Sequence, residues 1–341
     1  MKDYDLSILI PARNEEWVAD TVRDILRNKR GKTEVIVGLD GEWANPQIDD
    51  HPDVTIVYYA ESIGQRAMTN RLAKLSKAKY VAKCDAHVAF SEGFDQIMMD
   101  DMQDDWTMVP VLRNLHVYDW KCKKCGSRWY MGPKPERCMK GTNSDDIQPN
   151  PDCDGKDFHK KLVWKPNRRR PNNTAFVFNT DLQFWYFGEL KRIHDKSNED
   201  IVETLSLQGS FFMLTRDKYW ELNICDETWG SWGQQGTEVA LKTWLSGGRV
   251  VVNKKAWYAH MFRTQPGFSF PYPQSGKSQE RARKISQDIF LNNKWDKQTR
   301  TLSWLLERFR EPLLEYKDRN GKSWTAKRLD ELKEVPLQNG N

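Results

Sequence analysis

Nowhere in these 341 residues does an apolar run reach the length needed to cross a bilayer, so no membrane-spanning helix is expected. The first residues, Met1 to Asp5, open straight into a strand pattern without the charged and apolar regions of a secretory signal, and a cytoplasmic location is expected. An excess of charge is lacking too. The 53 Lys and Arg against 48 Asp and Glu leave only +5, which is mildly basic and by itself a weak argument for nucleic acid. Apolar residues are scarce at 38%, with a mean hydropathy of -0.79. The 15 Trp, 14 Phe and 11 Tyr make up for that shortage, because each ring buries a large surface. A disordered chain is poor in such rings, so this one folds. No internal repeat is visible. The six cysteines, expected in a reducing compartment, read as thiols or metal ligands rather than disulfides.

Short apolar runs alternate with helical patterns through the first ninety residues. Leu6 to Ile10, Val35 to Val37, Val54 to Tyr58 and Tyr80 to Ala82 read as strands. Val18, Val22, Ile25 and Leu26, and then Ala67, Leu72 and Leu75, recur at helical spacing. The alternation predicts βαβ units and a mostly parallel sheet, whose ligands bind beyond the carboxyl ends of the strands. From His116 to Asp200 the pattern lapses into Cys, Pro, Lys and Arg, the mark of an insertion. Strands return at Ser210 to Leu214 and Arg249 to Val252, with a helix from Thr237 to Leu245 between them. Beyond Pro273 the chain reads as helical, with Trp304, Leu305 and Phe309 on one face. The expected divisions are 1–115, 116–200 (the insertion), 201–265 and 266–341 (a helical C-terminal extension).

Three elements fall where a ligand of such a sheet would lie. Pro11-Ala12-Arg13-Asn14-Glu15 is a strand-to-helix turn, Asp40 ends the second strand, and Asp85-Ala86-His87 ends the fourth. Asp-x-His on an extended chain puts a carboxylate and an imidazole on one side, a pair suited to a divalent ion such as Mn2+. Taken alone, the pattern is a weak signal that more often marks a turn-capping Asp beside a surface His.

In order, these elements resemble the nucleotide-sugar half of glycosyltransferase family 2 enzymes of GT-A (Rossmann-like) fold. Asp-x-His is similar to the metal motif of polypeptide N-acetylgalactosaminyltransferases. So are Trp232-Gly233-Gln234-Gln235-Gly236-Thr237-Glu238 with Trp244-Leu245-Ser246-Gly247-Gly248, and His260-Met261-Phe262-Arg263. The resemblance implies a metal-dependent glycosyltransferase of hexosyltransferase type using a nucleotide-sugar, UDP favoured. It implies Asp85, His87 and His260 as ligands of Mn2+ (or Mg2+). Pro11, Arg13, Asn14, Glu15, Asp40, Arg66, Asp85 and Trp232 become donor-binding, and Gln235, Glu238 and Arg263 catalytic. Arg263 fits either a phosphate clamp or a structural ion pair. The motif has Glu where this chain has Gln235, and an amide cannot accept the acceptor's proton. Either Glu238, one turn later, is the base, or the reaction retains configuration with the leaving phosphate taking the proton. Retention is the reading adopted, and Glu238 also fits a helix-start acid.

The insertion opens on Cys122-Lys123-Lys124-Cys125-Gly126, a compact knuckle able to hold a metal through two thiolates. Cys138 and Cys153 follow at irregular spacing. A structural zinc on all four is expected, the alternative being one knuckle with incidental thiols; His116 and His159 are substitute ligands. Cys84 and Cys225 read as small buried hydrophobes. Lys160, Lys161, Lys165, Arg168, Arg169 and Arg170 surround Trp164, a mixture that suits phosphates and stacked bases as well as a solvated loop. As a whole, through Asn114 to Trp120 and Ala256 to His260, the chain resembles glycosyltransferases carried by tailed bacteriophages. That implies a hydroxymethylated pyrimidine of DNA as acceptor. A protein or glycan acceptor is the alternative, and a non-catalytic zinc-ribbon nucleic-acid binder the third reading. The motifs leave the sugar and the oligomeric state open.

Overall fold

The computed structural model describes residues 3–142, 145–167, 169–273 and 276–338. Its sheet grows from the four apolar runs near the N-terminus: β1 (Leu6–Ala12), β2 (Thr33–Asp40), β3 (Val54–Tyr59) and β4 (Tyr80–Cys84). Leu6, Ile8, Leu9 and Ile10 are all fully buried, as a strand with both faces covered requires. Helices α1 (Val18–Asn28) and α2 (Gln65–Leu75) make the crossovers, with Val18, Val22 and Ile25 of α1 turned inward at helical spacing. After β5 (Val88–Phe90) and α3 (Phe94–Asp100) comes β6 (Trp106–Cys122), a long strand that leaves the main sheet and enters the insertion.

There β6 pairs with β7 (Arg128–Tyr130) and β10 (Phe158–Pro166), while β8 (Met139–Lys140) and β9 (Gln148–Pro149) form a separate two-residue ladder. The chain returns through β11 (Phe176–Phe178), β12 (Phe184–Tyr186), α4 (Gly188–Lys196) and β13 (Ile201–Glu203). It then forms β14 (Phe211–Thr215), α5 (Arg216–Glu221), α6 (Gln235–Leu245) and β15 (Arg249–His260). The main sheet has the order β13-β15-β6-β14-β4-β1-β2-β3. Six of these strands run parallel, and β14 runs against both of its neighbours, β4 and β6.

Two expected boundaries move. Residue 115 is no break, because β6 runs through it without interruption. Phe176, Phe178 and Phe187, expected in the insertion, are fully buried in the main core. At the C-terminal end α7 (Gly276–Leu291), α8 (Leu302–Arg308), α9 (Arg310–Glu315) and α10 (Ala326–Lys333) pack on the core through Phe290, Leu305, Leu306, Phe309, Leu313 and Leu329. Trp304 does not share their face. It is 38% exposed, with the Arg300 guanidinium 4.3 Å over its ring.

Helix α6 also carries a buried ion triad. Glu238 lies between Arg66 and Lys242, each at 2.5 Å, and all three side chains are at most 2% exposed. Removing the shared carboxylate leaves two cations without a counter-charge. Glu238→Ala is therefore expected to lower the unfolding free energy by about 3–5 kcal/mol, read by urea denaturation. An unchanged midpoint would contradict this.

Candidate active site

Three strand ends meet at the carboxyl edge of the sheet. β1 leads into the turn that carries Glu15, β4 leads into Asp85 and His87, and β15 ends on His260. Because β5 follows β4 at once and pairs with β15, Val88 lies opposite His260 and the two imidazoles face each other. Their Nε2 atoms are 3.0 Å apart, and His260 Nε2 is 3.2 Å from Asp85 Oδ2. One ligand atom from each residue lies within 4.8 Å of the others.

The outer contacts decide what those atoms can hold. Glu15 Oε2 lies 3.0 Å from His87 Nδ1. A proton on that nitrogen leaves a lone pair on Nε2, pointing inward. Arg263 Nη2 donates to both Glu15 oxygens, at 3.0 and 2.9 Å. Burial pushes the Glu15 carboxyl up, but His87 and Arg263 outweigh it and hold it low. At Asp85 burial likewise pushes up, and Lys83, His260 and His87 hold the carboxyl well below the usual range. Burial, opposed by Asp85 and aided by His87, pushes His260 down to about 4, so its ring is neutral at neutral pH. One carboxylate with two imidazoles fits Mn2+, and fits it better than Mg2+, which prefers oxygen ligands.

Above this cluster opens a cavity of about 360 Å³, lined by Pro11, Arg13, Glu15, Asp40, Asp85, His87, Trp232, His260 and Arg263. Phe262, Phe270 and Tyr272 also wall it, and the Arg13 guanidinium sits 5.4 Å over the Tyr272 ring. The aromatic spacing of Phe268-Ser269-Phe270-Pro271-Tyr272 was the available sequence signal for that wall. A smaller cavity of about 210 Å³ shares Gln65, Asp85, Gln208 and Trp232 with the first and reaches Lys83 and Gln235. Its floor is tight at Gly236, where a Cβ would come within 2.2 Å of the Leu207 carbonyl oxygen.

Several expected donor and catalytic residues do other work. Arg66 is 1% exposed and holds the Gly233 carbonyl and Glu238, away from either cavity. Glu238 is fully buried in that ion triad and cannot reach an acceptor. Asn14, at φ 52°, accepts from the Glu42 amide at 3.1 Å and ties two loops together instead of lining the cavity. Asp40 lines the cavity, yet its oxygens accept from the Ile63 and Gly64 amides and the Ser62 hydroxyl, anchoring the turn before α2. Gln235 turns its amide to Cys225 Sγ at 3.1 Å. Arg263 is committed to Glu15 through Nη2, while its buried Nη1 has no hydrogen-bond partner.

In the insertion, the sulfurs of Cys122, Cys125, Cys138 and Cys153 all lie within 4.8 Å of one another. Cys122 to Cys153 is 3.9 Å and Cys125 to Cys138 is 3.5 Å. A tetrahedral zinc with bonds of about 2.3 Å needs sulfurs about 3.8 Å apart, so the four thiols fit it. Gly126, at φ 76°, makes the knuckle turn. The Ser127 hydroxyl, 3.1 Å from Cys125, brings that thiol down to about 6, near the thiolate form a metal requires. His116 instead contacts Asp119 at 2.8 Å, and His159 is not in the cluster.

The basic stretch divides. Lys160 pairs with Glu16 and lies over the Trp17, Tyr118 and Trp120 rings, and Trp164 donates to Asp24 at 3.0 Å, so both fasten the insertion to α1. Arg170 pairs with Asp145, and Arg168 lies outside the described residues. Lys161 is exposed on β10. Lys165 and Arg169, the latter paired with Asp146 at 3.7 Å, join Arg113, Arg128 and Trp257 around a second cleft of about 760 Å³. Among its described lining residues the carboxylate is Asp119, held by His116.

With strands β8 and β9 only two residues each, the four thiols are the main cross-link of the insertion's outer part. Stripping metal with a strong chelator should raise amide hydrogen exchange over 121–158 while β1 to β4 stay protected. Equal protection before and after would contradict a structural metal there.

Among the described residues no helix is long and apolar enough to cross a membrane. Residues 7–144 match the model of glycosyl transferase family 2. The chain is similar to polypeptide N-acetylgalactosaminyltransferase 3 of Drosophila melanogaster, at 28% identity over 100 residues. It is also similar to probable N-acetylgalactosaminyltransferase 6 of Caenorhabditis elegans, at 29% over 103 residues. Those matches cover 28% and 29% of this chain but only 15% and 17% of the relatives. The crystal structure of GalNAc-T7 with UDP, GalNAc and Mn2+ shares the fold, with a TM-score of 0.61 and 13% identity. That match covers 91% of this chain and 58% of GalNAc-T7. Residues 7–144 are thus similar to a glycosyl transferase family 2 domain, within a chain that has the GT-A fold.

Proposed function

We propose that this chain transfers a hexose from a nucleoside diphosphate sugar to an acceptor hydroxyl, with a divalent ion held by Asp85, His87 and His260. The observation that carries the reading is the convergence of those three ligand atoms, with His87 oriented by Glu15, beneath a cavity at the carboxyl edge of the sheet. Bound there, Mn2+ would act as a Lewis acid that offsets charge on the departing diphosphate. Arg263 offers its unpartnered Nη1 to a phosphate, and Trp232 flanks both cavities where donor and acceptor would meet. A UDP-sugar is favoured, since GalNAc-T7, which shares the fold, is described with UDP and Mn2+.

Inversion needs a carboxylate free to take the acceptor's proton. Among the described residues, the carboxylates that line the two cavities are Glu15, Asp40 and Asp85, and each is already engaged. That supports retention, with an oxygen of the donor phosphate accepting the proton.

For the acceptor we favour a hydroxymethylated pyrimidine of DNA, and for the compartment the cytoplasm, where zinc-binding thiols stay reduced. Support comes from the second cleft, where Arg113, Arg128, Lys165 and Arg169 gather beside Trp257. Cations beside an aromatic face suit a sugar-phosphate backbone. A protein acceptor is the second reading, favoured by the names of the curated relatives.

The test is Mn2+-dependent release of UDP from a panel of UDP-sugars, with and without DNA containing 5-hydroxymethylcytosine or 5-hydroxymethyluracil. Turnover should rise with the modified DNA, vanish in Asp85→Ala, and lose its DNA stimulation in an Arg128→Ala, Lys165→Ala double variant. The sugar on DNA should keep the donor's anomeric configuration. Hydrolysis indifferent to DNA would move the acceptor to protein, and no metal-dependent turnover would overturn the transferase reading.

A further inference from the structure

Lys83 lies on β4, two residues before Asp85, which directly follows the strand, so both side chains leave the same side of the extended chain. Its ammonium contacts Asp85 Oδ1 and donates to the Gly209 carbonyl at 2.8 Å. The side chain is 1% exposed and walls the smaller cavity. Asp85 therefore faces two ways. Oδ1 meets a fixed internal cation, and Oδ2 meets His260 at the metal-ligand cluster.

The charges around the cluster balance before any ion arrives. Lys83 neutralises Asp85, Arg263 neutralises Glu15, and the imidazoles of His87 and His260 contribute only lone pairs when neutral. A divalent ion entering alone brings two uncompensated charges into a buried site and meets a carboxylate already shared with an ammonium. A nucleoside diphosphate entering with it brings the missing negative charge.

We propose that Lys83 is a built-in counter-ion that makes binding of the divalent ion conditional on the nucleoside diphosphate, so that ion and donor load as a pair. The inference rests on the function proposed above. By linkage, whatever factor the diphosphate adds to the ion's affinity, the ion adds to the diphosphate's. The same coupling loosens the ion when the nucleotide product departs. Lys83 acts through Asp85 and is a positioning residue in this scheme.

The experiment measures Mn2+ affinity of the full chain by electron paramagnetic resonance of free Mn2+, with and without saturating UDP. Lys83→Met removes the charge, Lys83→Gln removes it but keeps a donor for the Gly209 carbonyl, and Lys83→Arg keeps it. The unaltered protein should bind Mn2+ about ten-fold or more tightly with UDP than without it. Met and Gln should tighten binding of Mn2+ alone by about ten-fold and shrink the UDP-dependent gain to match, while Arg should restore the original coupling. Weaker Mn2+ binding in Met and Gln with an unchanged UDP-dependent gain would overturn the proposal, leaving Lys83 as a tether for the Asp85 carboxylate. Independent binding of Mn2+ and UDP by the unaltered protein would overturn it too, while leaving the functional reading intact. Failure to bind Mn2+ under either condition would overturn both.

Discussion

Glu15 meets His87 Nδ1 with one oxygen and Arg263 Nη2 with both, and through those contacts three distant parts of the chain are locked together. His87 comes from the end of the fourth strand, Arg263 from just beyond the last, and Glu15 from the turn after the first. Burial pushes this carboxylate up, and its two partners together offset the cost of taking its charge out of water. The sheet order serves the same end. By placing β14 between β4 and β6, and β15 outside β6, the fold lets the short β5 return to β15 and bring His87 against His260.

The layout of the parallel strands was legible because each is an apolar run bounded by turn residues, and burial on both faces leaves little freedom in such a sequence. Asp85, His87 and His260 were legible as candidate ligands only through their motifs, and their facing geometry depends on the β5 to β15 pairing, which no local pattern announces. Arg66 and Glu238 misled for the opposite reason. A charged residue near a motif looks functional in sequence, and only packing reveals that these two neutralise each other inside the core. Lys83 carries no signal in the sequence, because a lysine within an apolar strand has no motif to mark it. The boundary at residue 115 failed because a single strand supplies both the main sheet and the insertion.

The insertion joins two kinds of cohesion. Rings of Tyr118, Trp120, Trp129 and Phe158 form a small aromatic core, and the four thiols gather its outer loops around one point. Much of the basic charge that looked available to a partner instead fastens this unit to α1 or to its own acidic residues. Arg113, Arg128, Lys165 and Arg169, the last of them paired with Asp146, still gather in the cleft beside Trp257. The DNA reading therefore rests on fewer cations than the sequence advertised, but on ones gathered in a single place.

The most direct test of the central claim is anomalous diffraction at the manganese edge from crystals grown with Mn2+ and UDP. One strong peak is expected, bounded by Asp85 Oδ2, His87 Nε2 and His260 Nε2, with the diphosphate on its open side. No peak there, or a peak held by other residues, would contradict it.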